Sequence, residues 1–310
     1  MGAVVISIDA ALGWGFHVDP PADRPTDRIA RSRWGWTQLA ETLETYDIPA
    51  TWAVVGHLFE EECAGAHVGH PSPPGWFAHE RGDDPMDEQY RYAPALLDDL
   101  VGSELDHDIG TLTYSHVEFD DATEALAHAE CDRAIEAAET AGVDVDSFVF
   151  PRNQVGHREV LAEAGVRCYR GTRPEPATDS PYSAPLRKLA RATVVREPPP
   201  LVEPEVDEYG LVNVPASLSL FGVEGPAQRL LAATVGDPAV RQAKLGVDAA
   251  ASGEGLCHLC LCPSDLTTEA DLSRFRAVCA HIDSVRAETD LTVETMRSVA
   301  DHVATPDTAA

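Results

Sequence analysis

The stretch Asp108-Ile109-Gly110-Thr111-Leu112-Thr113-Tyr114-Ser115-His116 ends in an imidazole, and four residues before it stands Leu112. Two histidines at that spacing, one helical turn apart, could both face one metal ion, whereas leucine has no lone pair to offer. Asp9 closes the apolar run 4–9 at a strand's C-terminal end, a position that carries functional groups in barrels. A carboxylate there can take a proton from water, or it can serve the fold as a cap or ion-pair partner. His116 reads equally as a site residue and as a buried histidine bonded to backbone. Arg152, in the turn Pro151-Arg152-Asn153, reads as an ion-pair partner lining a site. Cys257, His258, Cys260 and Cys262 alternate along one strand, so His258, Cys260 and Cys262 share a face. Those three could hold a metal, but small thiols in a core strand are the commoner outcome of a Cys-X-X-Cys with no second pair. Trp14, Trp34, Trp36, Trp52 and Trp76 could stack on flat ligands, and most belong in a core.

The elements that must position these groups alternate. Apolar runs at 4–9, 51–55, 109–113, 147–151, 212–215 and 256–262 read as strands. Apolar spacing predicts helices at 36–46, 94–103, 123–141, 158–164, 238–251 and 269–288. Asp121 with Glu124 suggests a capping box and Gly142 a helix stop. Strands that alternate with helices and are apolar on both faces imply a parallel sheet, open or closed. Residues 16–33 and 170–209 are rich in proline and charge and read as loops that either shape a mouth or simply connect elements.

In their order along the chain, the motifs resemble those of the polysaccharide deacetylases, the carbohydrate esterase 4 type built on the NodB-homology domain. Ser7-Ile8-Asp9-Ala10-Ala11 resembles the first motif, whose aspartate acts as general base and is followed by a metal-binding acid; here Ala10 and Ala11 stand in its place. Residues 108–116 resemble the motif with the two metal-binding histidines, of which only His116 is present. Ala50 to His57 resembles a strand whose residues are mostly structural. Pro151-Arg152-Asn153 takes the place of the motif whose arginine orients the base. Cys257-His258-Leu259-Cys260-Leu261-Cys262-Pro263 resembles a strand ending in a general-acid histidine, here Cys262.

The resemblance implies a distorted (β/α)7-type barrel, with residues 1–303 as one domain. A proline-rich loop is inserted at about 170–209, and a disordered tail covers 304–310. It implies a metal-dependent hydrolase of carbon–nitrogen amide bonds on N-acyl sugars or related small molecules. Asp9 and Arg152 would be catalytic, His116 would be a weak metal ligand with help from Asp9, and Trp14, Asn153, His258 and Cys262 would line the substrate. The divalent, zinc-like metal that the family uses is expected to be weak or absent here, with Cys262, His258 or His107 as possible replacement ligands. The alternative is a non-catalytic carbohydrate-binding or partner-docking relative.

Composition narrows the setting. The chain has 310 residues, 44% of them hydrophobic, enough for a large core. A net charge of -29, from 52 acidic against 23 basic residues, excludes nucleic acid as the expected partner. So acidic a surface, with Lys188 and Lys244 the only lysines, resembles proteins that work in molar salt, where self-repulsion is screened. Seven irregularly spaced cysteines suit reduced thiols and a cytoplasmic site. No signal-peptide core or membrane span is expected. Oligomeric state and substrate identity are left open.

Overall fold

The computed structural model describes residues 2–63, 65, 67–80, 86–172, 198–221, 237–253 and 255–304. The strands are β1 Gly2–Ala10, β2 Thr51–Val54, β3 Asp108–Thr111, β4 Ser147–Val149, β5 Cys168–Arg170, β6 Glu205–Val206, β7 Val212–Asn213, β8 Leu218–Ser219, β9 Gly255–Leu261 and β10 Thr292–Glu294. The helices are α1 Thr26–Thr45, α2 Pro94–Val101, α3 Glu124–Thr140, α4 Arg158–Glu163, α5 Pro238–Ser252, α6 Glu269–Glu288 and α7 Met296–Ala304.

One sheet runs β6-β7-β5-β4-β3-β2-β1-β9-β8, with β10 against the start of β1. Every pairing is parallel except β6 with β7. The sheet curls into the distorted barrel of the (β/α)7 type. Arg170, at the end of β5, reaches Ser7 and Asp9 on β1, four places away in the strand order. The edges at β7 and β8 are bridged by the chain itself through residues 214–217, where the Ser217 N–H donates to the His258 carbonyl.

β1 is the axis of the fold. Val4, Val5, Ile6 and Ile8 are fully buried, because helices cover the strand on one face and the barrel interior closes over the other. Trp36 on α1 packs on Trp52 of β2, ring centroids 5.3 Å apart. Gly35 lets α1 meet the turn after β9, where a Cβ would fall 2.1 Å from the Pro263 carbonyl oxygen. Helix α1 thereby fixes the turn Pro263–Asp265 at the mouth. At the opposite end Thr51 and Ser147 donate to the buried Asp108 carboxyl, which burial pushes up from its usual range.

The six strands read from the sequence are present to within a few residues, as are the six helices, except that α1 starts earlier. Residues 16–33 are not all loop: α1 begins at Thr26, with Pro25 before it and no side-chain cap. Its charged first turns mask the apolar period because they face solvent. The cap of α3 is Thr123, whose hydroxyl accepts from the Leu126 N–H, rather than an Asp121–Glu124 box. Gly142, at φ +77, stops that helix, and the Val143 N–H closes back on the Ala138 carbonyl. The expected loop 170–209 loses its first residue to β5; its stretch 173–197 lies outside the described residues. Among the described residues no helix is long and apolar enough to cross a membrane.

Candidate active site

Ser7 and Asp9 alternate on the interior face of β1, and His258, Cys260 and Cys262 do the same on and just after β9, so parallel pairing delivers them to one end of the barrel. There a cavity of about 270 Å³ is lined by Asp9, Leu112, His116, Arg152, Asn153, Arg170, Cys262 and Asp265, among others. Among the described residues eight non-glycine residues have left-handed backbone, and Leu12, His116, Arg152 and Asn153 of these line this cavity. Such conformations cost about 1–3 kcal/mol each and cluster where a fold holds groups for a task.

Both oxygens of Asp9 accept from Arg170, at 2.6 and 2.7 Å, a bidentate pair that fixes the carboxylate plane. Arg170 also donates to Ser7 Oγ at 2.9 Å and to Asn153 Oδ1 at 3.3 Å. Burial pulls its guanidinium down, but Asp9 outweighs that and keeps it charged. Behind it, His258 donates from Nδ1 to the Val214 carbonyl at 3.0 Å, leaving Nε2 to accept from Ser7 at 2.8 Å. Burial and Arg170 lower the His258 pKa to about 3, so this imidazole is a neutral strut.

His116 is a second neutral imidazole, brought to about 3 by burial, with His17 and Arg152 nearby. Burial, with Asp9 and Asp265 close by, pushes the Cys262 thiol well up, so the sulfur keeps its proton. Asp265 carries the other carboxyl of the cavity. Burial, then Asp9, pushes it up to about 6, although Cys262 N–H and Arg28 donate to it.

The structure separates the sequence-derived candidates. Asp9, His116, Arg152, Asn153 and Cys262 share the cavity, whereas Trp14 and His258 do not line it. Trp14 is buried and donates to the Arg91 carbonyl. Arg152 does not hold Asp9: it is half exposed and pairs with Glu118 at 3.3 Å and Asp19 at 3.9 Å. The orienting arginine is Arg170, missed because a three-residue strand before a proline-rich stretch reads as loop. Asp265 was missed too, though it lies three residues past Cys262 at the end of the last long strand.

For a metal at this mouth the donors are His116, the Asp9 carboxylate already spent on Arg170, the Asp265 carboxyl already held by Arg28 and the Cys262 N–H, and a protonated thiol. Ala11 and Leu112 line the wall. A second set lies elsewhere: His57, Cys63, His67 and Glu80 bring four donor atoms within 4.8 Å of one another. The segment ending in His57, expected to be mostly structural, supplies the first of them.

The polysaccharide deacetylase family model matches residues 28–169, from the first turn of α1 to the middle of β5. Asp9, Arg170 and β9 lie outside that match. No curated protein sequence matches the chain. A Mycobacterium smegmatis protein assigned to the polysaccharide deacetylases has a similar structure at 19% identity and TM-score 0.64, over 99% of this chain and 93% of that one. The Puue allantoinase is similar at 13% identity and TM-score 0.60, over 99% and 92%. A Pseudomonas aeruginosa PAO1 protein, also assigned to the polysaccharide deacetylases, follows at 12% and 0.60, over 97% and 90%. At these identities the structures show the fold alone, and the sequence likeness to the polysaccharide deacetylase family model is confined to residues 28–169, a little under half of the chain.

Proposed function

We propose that the chain is a hydrolase of carbon–nitrogen amide bonds on N-acyl sugars or related small molecules. Its activity is impaired by the loss of the family's metal ligands at the barrel mouth. The carrying observation is the Asp9 carboxylate, fixed by Arg170 at a cavity shared with neutral His116. With Ala10, Ala11 and Leu112 where an acid and an imidazole are wanted, the mouth falls short of the three protein ligands of a catalytic zinc. In this reading water attacks the acyl carbon and gives a proton to Asp9. The carbon–nitrogen bond then breaks, and the nitrogen leaves with a proton from Asp265, which is still partly protonated near pH 6. Arg152 acts at the rim, where its charge can meet a substrate oxygen. One specific observation favours a non-catalytic sugar-binding or partner-docking relative instead: Leu112 lines the cavity in place of an imidazole.

We take residues 1–303 as one barrel domain carrying an inserted proline-rich loop at about 170–209, with 304–310 as a tail. All seven cysteines are free, which suits the cytoplasm. The charge of -29 suits molar salt.

Acetate release from N-acetylated sugar oligomers, measured in dilute and molar potassium chloride, tests these readings together. Slow release is expected, falling by about 100-fold or more in Asp9→Asn, the scale of a lost general base. Sugar binding without any acetate release would favour the non-catalytic reading, and release that survives Asp9→Asn would sink the assignment of the base. The melting temperature should rise by many degrees with salt; equal values in both buffers retire the molar-salt reading.

A further inference from the structure

A long irregular excursion follows β2, in which residues 56–80 contain only short 3-10 turns at Gly56–Phe59 and Ala78–Glu80. Leu58, Phe59 and Phe77 anchor its two ends in the core, and the irregular chain between them has no regular backbone pairing of its own. At its centre lie His57, Cys63, His67 and Glu80, none of which lines the cavity at Asp9. The side chains of His57 and Glu80 are 0% and 1% exposed, and His57 Nε2 and Glu80 Oε1 have no hydrogen-bond partner. The two atoms face each other at 3.4 Å, close enough for an ion pair and too long for a well-formed hydrogen bond, a poor exchange for the water each has lost.

The surroundings are those of ligands. His57 Nδ1 donates to the Tyr114 carbonyl at 3.1 Å, which assigns the lone pair to Nε2 and turns it inward. The ring is gripped between Trp14 and Tyr114, centroids 4.1 and 3.9 Å away. His67 stacks on Phe77 at 3.6 Å. The Gly65 N–H donates to Cys63 Sγ at 3.3 Å, and Gly65 supplies the φ of +64 that turns the loop back to make the contact. Burial, with Glu80 and Glu60 nearby, pushes the free thiol up, so it is the cation that would draw the proton off.

Two of the distances suit a tetrahedral zinc ion. Four ligands held tetrahedrally at zinc bond lengths of about 2.0–2.3 Å stand about 3.3–3.8 Å from one another. Cys63 Sγ to His67 Nε2 is 3.6 Å and His57 Nε2 to Glu80 Oε1 is 3.4 Å, both in that range. His67 Nε2 to Glu80 Oε2 is 2.6 Å, a hydrogen bond that must open by less than an ångström for an ion to enter. One thiolate and one carboxylate cancel the charge of a divalent cation, so the loaded site is neutral and can stay buried.

We propose that His57, Cys63, His67 and Glu80 bind one structural zinc ion, with all four positions filled by protein, as a clip that ties the excursion to the end of β2. The clip also supports the mouth. Trp76, in the same excursion, donates from Nε1 to Ser115 Oγ at 2.8 Å, beside His116.

Metal analysis of the full-length, tag-free chain after dialysis should give one zinc per chain. Replacement by cobalt should give the strong visible bands of a tetrahedral ion and a thiolate-to-cobalt charge-transfer band in the near ultraviolet. Cys63→Ser should abolish the charge-transfer band, and Cys262→Ser and His116→Ala should leave it intact. Where Cys63→Ser does not fold, the wild-type and Cys262→Ser spectra decide. A chain that holds no stoichiometric zinc or cobalt, a cobalt spectrum without the thiolate band, or a band lost with Cys262 and kept without Cys63 would each overturn the proposal.

Discussion

The barrel mouth at Asp9 and the histidine cluster after β2 hold similar side chains in opposite states. At the mouth the polar groups are spent on each other. Asp9 is consumed by Arg170, His258 is tied at both ring nitrogens, and the Cys262 thiol is kept protonated by burial. In the cluster fewer are spent: His67 pairs with Glu80 Oε2 and the Gly65 N–H donates to Cys63, while His57 Nε2 and Glu80 Oε1 have no hydrogen-bond partner. The mouth leaves only a donor bare, Arg170 Nε, whereas the cluster leaves a carboxylate oxygen and an imidazole nitrogen bare.

The largest expected effect tests whether these imidazoles are neutral. Burial holds His116 and His258 at about 3 and His17 and His70 at about 4. An unfolded histidine titrates near about 6.5, so between about pH 4 and 6.5 the unfolded chain binds more protons, and stability is lost as pH falls through that window. Burial raises Asp265 to about 6 and Glu130 to about 7, and these oppose the trend, because they bind protons in the fold that the unfolded chain releases. His79, which burial lowers to about 3, adds a fifth depressed imidazole, so the imidazoles outnumber the two raised carboxyls and the net effect is a loss of stability as pH falls from 7 to 4. Thermal melts followed by circular dichroism should therefore show a steep fall below pH 6. A melting temperature that holds or rises at pH 4.5 would break the picture of neutral, buried His116, His258, His17, His70 and His79.

Next comes the ion pair. Replacing Arg170 by leucine leaves the Asp9 carboxylate without its partner, at a cost of about 3–5 kcal/mol. The half-exposed Arg152, changed to alanine, should cost under about 1 kcal/mol. Denaturant titration of the two variants measures both, and equal losses would erase the distinction between a buried strut and a rim charge.

The smallest effect asks whether the mouth can be made to resemble the cluster. Ala11→Asp together with Leu112→His returns an acid and an imidazole to the wall, since both positions line the cavity, the latter four residues before His116 in the turn that follows β3. A second zinc per chain, bound at least about tenfold more weakly than the first because Arg170 still competes for Asp9, is the expected stoichiometry by calorimetry. No second binding event would mean that the cavity has lost more than its ligands.

Much of this fold was legible from period and order. Long apolar strands such as β1 and β9 and the helices between them were visible because burial on both faces leaves an uninterrupted signal. The motif positions led to Asp9, His116, Asn153 and Cys262 on one cavity. Arg170 was not legible, since β5 has only three residues and its charge points inward rather than along an amphipathic face. The cluster was hidden for a different reason. His57, Cys63, His67 and Glu80 are spread over irregular chain with no repeat, and only the turn at Gly65 and the packing of Phe77 and Trp14 bring them together.

The contact between Ser7 and His258 spans 251 residues of chain. β1, whose buried aliphatic side chains form the centre of the barrel, is synthesised long before β9 can lie beside it. At about 5–20 residues per second, the first strand waits roughly 12–50 s for its neighbour to be made. β2 can cover one edge of the strand early, but the edge that belongs to β9 stays unpaired through that interval, so this barrel's demand on chaperones is set by the order of its strands more than by its final stability.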